Sequence, residues 1–259
     1  MSEIMDAYWA APPMARTFAT AIVVTSISAH ILGLVPYAWI YFTEDRLFRL
    51  PPEIWRLATN FFLSGPQLGI IMDPYFAYMY LKQLETANLK FPRKEDLLWY
   101  LMTVGGFIIL VNRAFLGGAF FLPGLLMSLT YTACQDQRGV QSSFFFFTVP
   151  AQAVPYCMLL ASVLMSPGII PLQLSGIVAA HLHDFLTRLW PEFGRGPNLL
   201  PTPGFVSWLV QTPRMLPRGY GTAIRQPDAT AGSGTGASTG SVLPDSWKTR
   251  GSGHRLGGN

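Results

Sequence analysis

The side chains best suited to chemistry are few and sit in apolar surroundings. Residues 175–186, SGIVAAHLHDFL, carry His181, His183 and Asp184. The two histidines are two positions apart, about 200° around a helix, so they face nearly opposite ways and do not readily share a metal ion. His181 and Asp184, three apart, share a face and are expected to form a hydrogen-bonded pair. Nothing else points to metal or redox chemistry. Cys134 and Cys157 fall in apolar stretches as small hydrophobes, no HEXXH pattern occurs, and no cofactor is expected. A serine nucleophile at a G-x-S-x-G elbow is also missing. Ser128, in LLMSL, lacks the flanking glycines that would admit a substrate backbone or shape an oxyanion site, so it is expected to bond its own helix backbone. Asp73 and Arg113 fall near membrane depth, where an ionisable group is a functional candidate. Both also flank helix ends, where a long side chain can snorkel to the interface.

The elements carrying these residues follow from composition. Of 259 residues, 50% are hydrophobic, 14% aromatic and 12% charged, about half the charge of an ordinary soluble domain. A water-soluble enzyme is thereby disfavoured. The net charge of +4 is not gathered into a basic run, which argues against a nucleic-acid partner. Crossing a bilayer core takes roughly 20 mostly apolar residues. The apolar segments predict an all-α polytopic membrane protein with six transmembrane helices near residues 18–42, 67–84, 97–112, 116–133, 144–165 and 172–190. The second is expected to break near its start, at Asp73 and Pro74. The third and fourth split one long run at Asn112, Arg113, Gly117 and Gly118 into a hairpin of two short spans. Gly176 and Ala180 form a small-xxx-small face for close helix approach.

Residues 43–65 interleave charges with Ile54, Trp55, Leu57, Phe61 and Phe62, a pattern suited to lying along a membrane interface. Six crossings put both termini on one side. Arg16, Lys82, Lys90, Arg93, Lys94, Arg138, Arg188 and Arg195 on that side outnumber Arg46, Arg49, Arg56 and Arg113 on the other, which makes both termini cytosolic. Glu3 and Asp6 oppose a cleaved leader, so the N-terminus is expected to be retained. Residues 1–210 form the membrane domain, 211–246 a flexible Pro/Gly/Ser-rich linker, and 247–259 a distinct end, WKTRGSGHRLGGN.

IWRLATNFF at 54–62, the charged loop after YMYLKQLE at 78–85, AAHLHDFLTRLWP at 179–191 and NLLPTPGF at 198–205 together resemble the derlin family of rhomboid-like pseudoproteases over about residues 5–210. Trp55 and Arg56, with Asn60 nearby, match the family's Trp-Arg pair in the first lumenal loop. Gly176 and Ala180 match its last helix with alanine in place of a usual glycine. His181 matches a histidine shared with rhomboid proteases, whose serine has no counterpart here. Trp247, Gly251, Gly253, His254, Arg255, Leu256 and Gly257 resemble the box by which some derlins bind the N-terminal domain of a hexameric AAA+ segregase ATPase. There glycines let a strand lie close to its partner while Trp247 and Leu256 fill apolar pockets.

The resemblance implies a non-catalytic role in endoplasmic-reticulum-associated degradation, with misfolded client proteins, the ATPase, a membrane ubiquitin-ligase complex and lipids as partners, and homo- or hetero-oligomers open. An active intramembrane protease and a small-solute transporter are the competing classes. The transporter lacks the internal repeats such folds show.

Overall fold

The computed structural model describes residues 2–43, 46, 52–86, 90–135, 137, 139–144, 147–194 and 196–210. The chain divides into units of residues 1–213 and 214–259, and the described residues belong to the first. A short helix α1 (Ser2–Ala10) leads through Pro12 and Pro13, with Pro13 at the first position of α2 (Pro13–Ser26). Proline suits that position because its missing N–H had no helical partner. The first-turn backbone N–H groups of Met14 and Ala15, which have no helical partner, donate instead to the Glu85 carboxylate, at 3.3 and 3.1 Å. This caps α2 from another helix.

The helix widens into a π turn over Ile27–Ile31, and the Leu32 N–H reaches back five residues to the Ile27 carbonyl. It then ends at Gly33, whose φ of 62° is costly for any residue with a Cβ. The expected first span, 18–42, is therefore corrected at both ends: the helix starts at Pro13, and residues 32–42 hold only the short α3 (Tyr37–Ile40). One turn, α4 (Arg56–Thr59), precedes α5 (Gly69–Thr86). Pro74 lies inside α5 without breaking it, contrary to expectation.

Helix α6 (Lys94–Val111) continues as a second π turn, Asn112–Leu116, before Gly117 turns the chain at φ 69°. The hairpin expected near 112–118 exists, but its first arm is a continuous segment of 23 residues and is not short. Its second arm is α7 (Leu122–Gln135). Residues 141–150 form a hairpin of β1 (Gln141–Phe144) and β2 (Phe147–Pro150), with Gln141 opposite Pro150. The helix expected from residue 144 thus begins only after Pro150, with the turn Ala151–Ala153 and α8 (Val154–Met165). Aromatic and β-branched residues favour the strand, and a proline ends it. Helix α9 (Ile170–Asp184) extends through a third π turn, Phe185–Leu189, into α10 (Trp190–Gly194), and α11 (Gly204–Val210) follows.

The six long helical segments alternate in direction. Glu85 at the end of α5 meets the start of α2, and Gln83 donates to the Ala133 carbonyl at the end of α7. Tyr100 of α6 meets Thr132 of α7, and Gln152 before α8 donates to the Gln135 carbonyl. The chain therefore enters α2 and leaves α9 at one end of the bundle, called here the entry end. Three segments, Pro13–Ile31, Lys94–Leu116 and Pro167–Phe193, are long and apolar enough to cross a membrane, and Ala151–Met165 is a shorter apolar helix. Helix α7 is almost wholly buried at the centre.

There, α7 meets α9 without side chains between them. A Cβ built on Gly176 would lie 2.0 Å from the Gly124 carbonyl oxygen. The small-residue face expected from Gly176 and Ala180 is thus a backbone contact, and Gly124 is its other half. Gly176→Ala should force the helices apart and cost about 2–3 kcal/mol, read as a lower melting temperature in detergent. Gly106→Ala, also helical but with nothing within 4 Å of the added methyl, should be neutral or gain up to about 1 kcal/mol.

Candidate functional site

Two cavities open where the helices diverge beyond the Gly124–Gly176 contact. At the end opposite entry, a cavity of about 420 Å³ is lined by His30, Ser64, Asn112, Phe120 and Pro123 among others. The His30 ring is held on both sides: Nε2 lies 2.9 Å from the Ser64 carbonyl and Nδ1 lies 2.8 Å from the Tyr37 hydroxyl. Asn112, buried where α6 widens, receives the Gly118 N–H at 3.0 Å and shapes the turn into α7. The buried Ser64 hydroxyl has no partner. A buried polar group without a partner is costly.

The segment beneath this cavity contains the Trp-Arg pair, and the two residues do different work. Arg56 is 1% exposed. Its guanidinium donates to Glu53 and, at 2.7 Å, to the Tyr41 carbonyl, and stacks 5.7 Å from the Tyr41 ring centroid. Asn60 is also buried, donating to the Arg56 carbonyl at 2.7 Å, while its own carbonyl accepts the Phe121 N–H. Arg56 and Asn60 thus lock the loop to the bundle. Trp55 is 53% exposed and lies beside exposed Ile54 and Leu57. Charges turned inward and apolar side chains turned outward suit an interfacial segment.

At the entry end, a cavity of about 530 Å³ lies between the start of α6, the end of α9 and residues 198–202. Asp184 does not pair with His181. It accepts two hydrogen bonds from Arg188, at 3.1 and 2.9 Å, and lies 3.4 Å from Lys90. His181 is exposed and meets the Tyr131 hydroxyl through Nδ1 at 3.3 Å. The expectation of a His181–Asp184 pair fails because charged donors outcompete an imidazole for a carboxylate. His183, on the opposite face, is buried edge-on against Tyr100, with 5.0 Å between centroids.

The Tyr100 hydroxyl in turn meets Thr132 at 2.7 Å and the Ser128 carbonyl at 3.1 Å. The Ser128 hydroxyl donates to the Leu125 carbonyl at 2.7 Å, as expected, and is fully buried. Asp73, the other ionisable candidate, accepts the Gly65 N–H at 2.9 Å and so pins the loop before α5. Arg93 starts α6 and donates to Asp96 at 3.1 and 2.9 Å, which raises the guanidinium above its ordinary pKa. Among the described residues, no three His, Cys, Asp or Glu side chains converge as metal ligands. Trp247, Gly251, Gly253, His254, Arg255, Leu256 and Gly257 lie outside the described residues.

Sequence reasoning missed Glu53, Glu85, Tyr100 and Gly124. Each acts through a partner distant in sequence or through a turn without periodicity. Gly124 alone left a local trace, a glycine just inside an apolar helix after Pro123.

Among the described residues, three long apolar segments in a helical bundle define a membrane protein, all-α apart from one short hairpin. The Der1-like family matches residues 11–204, and the chain belongs to that family. Derlin-1 of Arabidopsis thaliana is 31% identical over 92% of this chain and 88% of its own length. Derlin-1 of Homo sapiens is 31% identical over 81% of this chain and 84% of its own. Derlin-2 of Oryza sativa subsp. japonica is 27% identical over 86% and 90%, respectively.

Glu53→Gln removes the carboxylate that neutralises Arg56 and should cost about 3 kcal/mol, since a buried cation loses its counter-charge. The check is thermal unfolding in detergent. Trp55→Ala, at an exposed position, should leave the melting temperature within about 1 °C.

Proposed function

We propose that this protein is a non-catalytic component of endoplasmic-reticulum-associated degradation, helping misfolded lumenal or membrane proteins leave the membrane toward the cytosol. The observation that carries this reading is membership of the Der1-like family over most of the chain. The geometry supports a non-proteolytic scaffold in which Ser128 is closed off by its own helix and His181 is engaged with Tyr131. In this reading all six helical segments cross the membrane and both termini are cytosolic. The 420 Å³ cavity then faces the lumen, with His30 and Asn112 among its lining side chains.

Local bilayer thinning belongs to the same proposal and originates at Ala151–Met165. That segment is about 24 Å long against a core of about 30 Å. It also exposes Tyr156, Leu160, Val163, Leu164 and Met165 to lipid. Matching so short a lipid-facing helix draws the leaflets together. Residues 211–246 would tether the ATPase-binding box at 247–259, with a membrane ubiquitin ligase completing the machinery.

Leu256→Ala should reduce capture of the segregase ATPase by the full-length protein at least tenfold without changing membrane insertion, because one of two apolar anchors is gone. Unchanged capture in a pull-down would remove the box from the proposal. Trp55→Ala should slow client clearance in cells while ATPase capture persists, and simultaneous loss of both would point to misfolding instead.

A further inference from the structure

The entry-end cavity is built unlike its counterpart. Two ion pairs line its walls: Arg93 with Asp96 at the start of α6, and Arg188 with Asp184 at the end of α9, where Lys90 joins Asp184. A third carboxylate, Glu95, lies 3.8 Å from Arg93. Lys90, Arg93 and Arg188 thus face Asp96 and Asp184 across one space of about 530 Å³, with Glu95 beside Arg93, and the volume is within the usual range for small-ligand sites.

A segment that runs on from α10 completes the wall. The Thr202 hydroxyl donates to Asp96 at 2.7 Å, the Trp99 indole N–H donates to the Leu200 carbonyl at 3.3 Å, and Phe205 packs edge-on against Trp99. The Ser207 hydroxyl fixes α11 to the buried Glu95 at 2.8 Å. Asp96 is thus oriented by both Arg93 and Thr202, and its oxygens keep room for a further donor.

Position and charge select the ligand. The cavity sits where the apolar segments Lys94–Leu116 and Pro167–Phe193 reach their charged ends, the depth at which lipid headgroups lie. An anion alone would have to compete with three carboxylates for the cations, and a cation alone with the arginines and Lys90 for the carboxylates. A zwitterion satisfies both signs without breaking either pair, and bidentate pairing uses only two of a guanidinium's five donors.

We propose that the cavity between α6, α9 and residues 198–202 holds the headgroup of a zwitterionic phospholipid from the adjoining leaflet, with its phosphate toward Arg93 and its ammonium group toward Asp96. The bound lipid fills the entry end of the bundle and ties residues 196–210 to the membrane surface.

The test is native mass spectrometry of the full-length protein released from nanodiscs of equimolar phosphatidylcholine, phosphatidylethanolamine and phosphatidylglycerol. The wild type should retain one zwitterionic lipid in preference to phosphatidylglycerol, and millimolar inorganic phosphate should not strip it. Arg93→Gln, at an exposed position, should lower the retained fraction about tenfold. Asp96→Asn should abolish the preference over phosphatidylglycerol, since it removes the charge that repels an anionic headgroup. Thermal unfolding of both variants should match the wild type within a few degrees. Equal retention of phosphatidylglycerol by the wild type, stripping by inorganic phosphate, or unchanged retention in Arg93→Gln would each overturn the site.

Discussion

The backbone contact between Gly124 and Gly176 is the constraint on which the rest of the bundle depends. Lipid tails are as apolar as leucine, so helices in a membrane gain little from hiding side chains from one another. They associate through close packing and polar contacts. With α7 and α9 held backbone to backbone, Ser128 and Thr130 are sealed against their own helix and Tyr131 is brought to His181. Above and below that point the helices separate, and each separation is a cavity.

The two cavities divide the polar residues between them. The far cavity is mostly apolar, with a held histidine and a buried serine at its wall. The entry cavity is ringed by paired charges and walled by a segment fastened through two hydroxyl-to-carboxylate hydrogen bonds. Charges near the bundle find partners within hydrogen-bonding reach: Arg56 with Glu53, Asp184 with Arg188, and Glu85 with the orphan amides of α2. Water is scarce at these positions, so an unpaired group there would be expensive.

Much of the architecture was legible in the sequence because long apolar runs with glycine and proline punctuation have few structural solutions. The helical bundle, the turn at Gly117, the bond of Ser128 to its own helix and the close approach at Gly176 all follow from local composition. The errors were also physical in origin. The π turn at Asn112–Leu116 carries α6 past Asn112 and Arg113, where polar residues suggested an end, and a backbone hydrogen bond shifted by one residue leaves no compositional trace. The strand pair at 141–150 was hidden because a phenylalanine-rich run suits a strand and a lipid-facing helix equally. Arg56 was legible only as one charge of an interfacial segment, whereas Glu53 and Tyr41 draw it inside. The preference of Asp184 for Arg188 over His181 was open to sequence reasoning, since residues four apart on a helix meet as readily as residues three apart.

A scaffold with its serine sealed and its cavities open should pass client chains without cutting them. The most direct measurement is the intact mass of a membrane-anchored misfolded client recovered after transit through proteoliposomes containing this protein with the ligase and ATPase proposed as its partners. The account predicts full-length client, modified only by ubiquitin, for both the wild type and Ser128→Ala. A shorter fragment produced by the wild type and absent with Ser128→Ala would contradict it.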